Sequence, residues 1–298
     1  KQALCNAIEA LIGPDDEVIM PTPCWVSYVE MVKIAQGKSV LVKTTMENNF
    51  CLTAEQLEAA ITPATKLLLL CSPNNPTGSV YTLENLKAIV EVLKKYPQIV
   101  VLADEIYQHI LYTGKHETMA QFPEIEDRLI IINGVSKAYA MTGYRIGWLA
   151  SHDKDFITAV KRLQGQTISC ATTIAQRAAE AAYTGPQECV EEMRQAFERR
   201  RDLIVRLAKD IPGMKVLEPQ GAFYLFPDVS AFFGKKYNGQ TIENANDVVN
   251  FLLQEAHVAC VSGSAFGEDN CIRFSYATSE DKIIEAMRRM KEMLAKLQ

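Results

Sequence analysis

Long apolar runs are missing from this 298-residue chain. Nothing approaches the ~20 apolar residues that a helix needs to cross a bilayer, so membrane-spanning helices are excluded. A C-x-x-C pair is missing as well. The eight cysteines (Cys5, Cys24, Cys51, Cys71, Cys170, Cys189, Cys260 and Cys271) stand far apart. That spacing offers neither a zinc site nor the disulfide framework of a small secreted domain, and it points to reduced, mostly buried thiols in a cytosol-like compartment. No metal site is expected. Positive charge is not in excess: 31 Lys and Arg against 36 Asp and Glu leave a net charge of −5. Nucleic acids and membrane surfaces are therefore poor partners. The Walker-type phosphate loop, the G-x-G-x-x-G fingerprint and the G-x-S-x-G elbow are all absent. The four histidines (His109, His116, His152 and His257) are dispersed and read as surface or packing residues. No charged-then-apolar leader, low-complexity stretch or internal repeat is present.

What is there is an ordinary globular composition, 48% apolar and 22% charged, in a chain long enough for one large domain or two smaller ones. The first half alternates short apolar runs with helical stretches. Strands are expected at residues 17–20, 66–70, 99–103, 129–132 and 146–150, with helices near 25–35 and 83–94 between them. Thr53-x-x-Gln56 is a capping-box signature for another helix. The runs at 66–70 and 99–103 are apolar without alternation. Strands covered on both faces look like that, so a mostly parallel sheet between helical layers is expected, α/β in class. A Glu- and Arg-rich helix follows near 186–210. The last hundred residues change character: short strands near 215–217, 223–226, 258–261 and 272–275, flanked by helices near 245–256 and 280–297, make a smaller α+β unit. The implied division is a large domain over 1–195 and a small one over 196–298. The abrupt helical start at Lys1-Gln2-Ala3-Leu4 implies that an upstream portion belongs to the protein.

Ligands of such sheets bind beyond the carboxyl ends of the strands. Three polar segments fall there. Ser72-Pro73-Asn74-Asn75-Pro76-Thr77-Gly78 follows one apolar run, Asp104-Glu105-Ile106-Tyr107 follows another, and Ser136-Lys137 follows a third, with Arg145 eight residues on. Taken singly, each has an ordinary explanation: a solvated lysine, a turn-capping aspartate, a packed tyrosine, an N-P-T-G turn. Taken together, an amine, an acid, a phenol, an amide and a guanidinium are the groups needed to hold pyridoxal 5′-phosphate. Lys137 would form the Schiff base and shuttle a proton, helped by a lowered pKa. Asp104 would meet the pyridine nitrogen, Tyr107 the ring oxygen, and Arg145 the phosphate through its rigid fork. Arg273 lies in an apolar strand where an unpaired guanidinium is costly, so either a substrate carboxylate or a structural salt bridge must partner it. Trp25 is either core or a plate stacked on the cofactor ring. Lys1-Gln2, at a helix start, can offer backbone N–H groups to a phosphate.

With these residues in order and at these spacings, the chain resembles the class I aminotransferases of the pyridoxal-phosphate fold type I superfamily. It is most similar to the branch of aspartate and aspartate/glutamate–prephenate aminotransferases. Pro23-Cys24-Trp25-Val26-Ser27-Tyr28, Gly221-Ala222-Phe223-Tyr224 and Ser275-Tyr276-Ala277-Thr278-Ser279 match too. The resemblance implies a catalytic set of Lys137, Asp104 and Tyr107. It implies cofactor contacts from Lys1, Gln2, Trp25, Asn75 and Arg145, and substrate contacts from Lys1, Trp25, Asn75 and Arg273. Lys1 would meet the side-chain carboxylate of acidic substrates. Aspartate and 2-oxoglutarate are then the expected amino acid and 2-oxo acid, exchanging an amino group by a ping-pong mechanism. Transamination of prephenate or aromatic substrates, elimination or decarboxylation on the same scaffold, or a non-enzymatic descendant such as the sensor half of a transcription regulator are the alternatives. A cytoplasmic homodimer is implied, or a plastid one behind a transit peptide. Two departures stand out. The family carries roughly a hundred further residues upstream, the size of a small domain. Gly134 also replaces a common hydroxyl residue, leaving Ser136 or water to serve the phosphate.

Overall fold

Two-sided burial turns the apolar runs into central strands. In the computed structural model, which describes residues 1–298, six strands form one sheet. They are β1 (Glu17–Thr22), β2 (Lys38–Lys43), β3 (Thr65–Cys71), β4 (Val100–Asp104), β5 (Leu129–Gly134) and β6 (Gly147–Ser151), in the order β2-β1-β3-β4-β5-β6. The first five run parallel, and β6 returns antiparallel along β5. The chain steps outward from β1 to β2 and then restarts at β3 on the other side of β1. This reversal opens a crevice at the carboxyl ends of β1 and β3, the place where α/β sheets take ligands.

Successive side chains of a strand face opposite sides, so each strand feeds two cores. Ile19, Leu68, Leu70, Val101 and Ala103 pack against α3 (Ala54–Ala60) and α4 (Leu83–Leu93). Val18, Met20, Leu67, Leu69, Leu102 and Ile130 pack against α1 (Gln2–Leu11), α2 (Ser27–Ile34) and α5 (Lys154–Thr167). Each Val, Leu, Ile or Met side chain among these, removed from water, contributes about 1.5–3 kcal/mol before entropy is counted. The expected capping box at Thr53 and Gln56 is formed in both directions.

Beyond α6 (Thr173–Thr184), the long α7 (Glu188–Lys209) leads into a third core of 29 buried residues. There α7, α8 (Ala245–Glu255) and α9 (Glu280–Leu294) cover a small sheet. It is ordered β10-β11-β7 and built from β7 (Tyr224–Leu225), β10 (Val261–Ser262) and β11 (Ile272–Ser275). A separate hairpin joins β8 (Lys236–Tyr237) to β9 (Gln240–Thr241). Only Tyr107, Ile110 and Tyr112 of the earlier chain enter this third core.

Several expectations shift. The strand expected at 215–217 is a single bridge from Lys215 to Asp228. The one at 258–261 survives only as Val261–Ser262. The last helix stops at Leu294, three residues short of its expected end. Strand β2, helices α5 and α6 and the small hairpin had not been anticipated.

Candidate active site

Every parallel strand but the edge strand β2 delivers a functional group at its carboxyl end. Trp25 follows β1, Asn75 follows β3, Asp104 closes β4, and Lys137 sits in the turn after β5. Strand pairing aligns Cys71 with Asp104 and Asp104 with Ile132, so these ends form one rim. Arg145 reaches the same rim from the loop before β6, in the left-handed region at φ 55°. Lys1 comes from the start of α1 and Arg273 from β11. All seven of these residues, together with Tyr107, line one cavity of about 310 Å³. Gln2 stands outside the lining. Its side-chain amide donates to Asn6 Oδ1 at 2.6 Å, so what it offers an anion is a backbone N–H at the helix start. None of the four histidines lines the cavity.

Asp104 is 4% exposed. Burial pushes its carboxyl above the ordinary range, against hydrogen bonds that favour the charged form. These come from Tyr28, whose hydroxyl donates to Oδ2 at 2.7 Å, and from the Ile106 N–H, which donates to Oδ1 at 3.2 Å. Burial, with Asp104 alongside, pushes the Tyr28 phenol well up, so it stays a neutral donor. A hydrogen bond to a charged partner is worth about 1.5–3 kcal/mol, so this pair anchors the acid firmly.

Lys137 moves the other way. Burial lowers its ammonium pKa, Arg145 and then Arg273 lower it further, and Asp104 opposes them. Its Nζ lies 5.6 Å from the Tyr107 ring centre and 5.5 Å from that of Phe223. The Tyr107 hydroxyl is 2.9 Å from the Tyr224 hydroxyl. Arg273 meets none of the chain's carboxylates, so the structural salt bridge that would explain it is absent. Its Nη1 donates to Asn75 Oδ1 at 2.9 Å, its guanidinium lies 4.7 Å from the Tyr224 and Phe266 ring centres, and its buried Nε has no partner. Trp25 meets Tyr28 edge-on at 5.3 Å, and Lys1 Nζ lies 4.8 Å from the Trp25 ring.

Gly134 has a local reason. It pairs with Gly147 across β5 and β6, and a Cβ there would stand 2.8 Å from Gly147 Cα and 2.9 Å from the Ile146 carbonyl oxygen. Two glycines let the strands close in, which brings the Arg145 loop to the cavity. Ser136, the hydroxyl left in reach, is among the lining residues.

Sequence reasoning passed over Tyr28 and Tyr224, both of which line the cavity. Each lay inside a matched motif, Tyr28 three residues after Trp25 and Tyr224 at the end of Gly221-Ala222-Phe223-Tyr224. A buried phenol needs a partner, and that was the available signal.

Comparison with known proteins bears on the family and the fold. The family model described as aminotransferase class I and II matches residues 1–290. The chain is 43% identical to a bifunctional aspartate aminotransferase and glutamate/aspartate-prephenate aminotransferase of Petunia hybrida, covering 99% of this chain and 62% of that protein. An aspartate aminotransferase of Rhizobium meliloti is 45% identical, over 97% of this chain and 71% of its own length. The crystal structure of the aspartate aminotransferase from Rhizobium meliloti superposes with a TM-score of 0.97 at 44% identity, over 100% of this chain and 75% of that one.

Proposed function

The chain belongs to the class I and II aminotransferases, and from that premise we propose that it transfers the amino group of aspartate to 2-oxoglutarate with the help of pyridoxal 5′-phosphate. The observation that carries the proposal is the single cavity shared by Lys137, Asp104, Tyr107, Asn75, Arg145 and Arg273. The donor set fits the cofactor group by group. It offers an amine for the aldehyde, a buried acid for the pyridine nitrogen, a phenol and an amide for the ring oxygen, and a guanidinium for the phosphate. Arg273, half-buried, with a buried Nε lacking a partner and no carboxylate beside it, supports a substrate carboxylate as the missing anion.

When bound, pyridoxal phosphate supplies an aldehyde and a ring that accepts the electron pair left on the substrate α-carbon. The residues do the rest. Arg273 holds the α-carboxylate, while Lys1 beside Trp25 meets the side-chain carboxylate of an acidic substrate. Lys137 Nζ, biased toward the neutral amine by burial and two arginines, takes the proton from the α-carbon and returns it when the second substrate is aminated. Asp104 keeps a negative charge against the ring nitrogen, steadied by Tyr28. Trp25 would cover the ring, and Gln2, outside the cavity lining, could offer only its backbone N–H at the start of α1. Aspartate leaves as oxaloacetate and 2-oxoglutarate as glutamate, in two half-reactions at one site.

Prephenate as an amino acceptor is the second reading, favoured by the glutamate/aspartate-prephenate activity for which the petunia relative is named. The division near residue 195 belongs to this reading, supported by a third core built almost wholly from Phe197 onward. So do a homodimer and a reducing compartment, cytoplasm or plastid, the latter supported by eight free thiols. The test is an absorbance spectrum with added cofactor, followed by borohydride reduction and peptide mass analysis, beside an assay of aspartate with each acceptor. A visible-region band, fixed covalently at Lys137 and lost in Lys137→Ala, is expected. Stable cofactor attachment elsewhere, or turnover untouched by Lys137→Ala, would overturn the reading.

A further inference from the structure

We propose that Tyr224 is a positioning residue that turns the Tyr107 hydroxyl toward the cofactor's ring oxygen. The inference rests on the reading above and adds a residue to it. The two hydroxyls lie 2.9 Å apart, both nearly buried. One proton fits between two oxygens at that distance, and each hydroxyl owns one. Tyr107 can donate to a third group only if Tyr224 supplies the shared proton. Were Tyr107 to donate to Tyr224 instead, its remaining face would hold only lone pairs, which repel an anionic ring oxygen.

The surrounding charges select the useful polarity. The Tyr224 ring lies 4.7 Å from the Arg273 guanidinium, a cation that makes its O–H the stronger donor. Tyr107 lines the cavity beside Asp104, whose negative charge favours an accepting oxygen there. A chain of two hydroxyls pointing the same way also strengthens the last donor in it.

The backbone holds Tyr224 in place. Tyr224 pairs with Ser275 and Leu225 with Phe274, so β7 rides on the strand that carries Arg273. Two residues before it, Ala222 adopts φ 56°, and its carbonyl oxygen accepts hydrogen bonds from the Tyr112 and Tyr276 hydroxyls. The Tyr224 hydroxyl is thus fixed to the arginine's sheet, while Tyr107 follows β4 of the large sheet.

Tyr224→Phe keeps the ring on which Arg273 lies and removes only the hydroxyl. The readouts are the affinity for added pyridoxal phosphate and the pH midpoint of its visible absorbance once bound. The ring oxygen competes for the proton on Lys137 Nζ, so a donor drawing on that oxygen loosens this proton. Losing part of that donation should raise the midpoint by about half a pH unit and weaken cofactor binding several-fold. In a Tyr107→Phe background the same change should add nothing, because Tyr224 acts through Tyr107. A Tyr224→Phe protein with the parent's midpoint and affinity would refute the proposal. So would a shift that persists undiminished without the Tyr107 hydroxyl. A parent protein that shows no visible band with cofactor would instead sink the functional reading itself.

Discussion

Lys137 is held where an ammonium is poorly tolerated. Burial and two arginines penalise its proton, and only Asp104 favours it. Because the folded-state pKa lies below that of the unfolded chain, the folded protein carries a penalty wherever both forms keep the proton. The penalty is full below the folded value, fades as pH climbs through it, and is gone above the unfolded value of about 10.4. Lys137→Met should therefore raise the melting temperature of the cofactor-free protein at pH 7, with the gain shrinking steadily toward pH 10. Transaminase activity in the same variant should fall at least about a thousand-fold, since both nucleophile and proton carrier are lost. Thermal melts of parent and variant at several pH values check the sign; a gain that grows with pH would contradict it. The site was legible at this scale because its chemistry lies at strand ends in compact motifs. Tyr28 and Tyr224 were not legible, because a buried phenol looks like core until the atom opposite its hydroxyl is known.

At the scale of elements, β5 and β6 show how two glycines can serve a charged residue. Gly134 faces Gly147, and the space a side chain would need is occupied by the Ile146 carbonyl and the Gly147 Cα. Backbone atoms cannot swing aside as a side-chain tip can. Gly134→Ser should push β6 outward, destabilise the protein by about 1–3 kcal/mol as other overpacking does, and carry Arg145 away from the phosphate. Urea unfolding and inorganic phosphate binding measure the two effects; unchanged phosphate affinity would separate the strand spacing from Arg145. Elements with one strong signal were readable: β3 and β4 by unbroken apolarity, α3 by its capping box. Strand β2 hid because it is an edge strand, flanked by lysines and only half covered. Helix α6 hid because it buries only Ala175 and Ala179, too little bulk for a clear periodicity. The strand expected at 215–217 dissolved into one bridge because its partner, Asp228, lies outside any strand.

Across the whole molecule, the cavity lies where the late part of the chain meets the early part. Arg273 reaches Asn75, Tyr224 reaches Tyr107, and the Gln220 and Gly221 N–H groups both donate to the Gly78 carbonyl. Phe50, Phe226 and Phe266 close a small apolar joint beside it, with Lys43 paired to the nearly buried Glu268 at 3.4 Å. Away from this joint, the side bearing β6 and α6 is left apolar and open. Trp148 donates through its indole N–H to the Tyr183 hydroxyl, Tyr139 packs edge-on against Tyr183, and Ile174 is 77% exposed. Such a patch is costly to leave in water and marks an interaction surface. The homodimer proposed for this chain would cover it and would set the neighbouring Arg145 loop against a second subunit. Sedimentation equilibrium should then return twice the 33.2 kDa of the chain. Ile174→Glu, which changes a side chain already in solvent, should halve that mass while leaving the melting of the single chain within about 0.5 kcal/mol of the parent. If the parent sediments at 33.2 kDa across micromolar concentrations, the homodimer is wrong and this apolar side needs another partner.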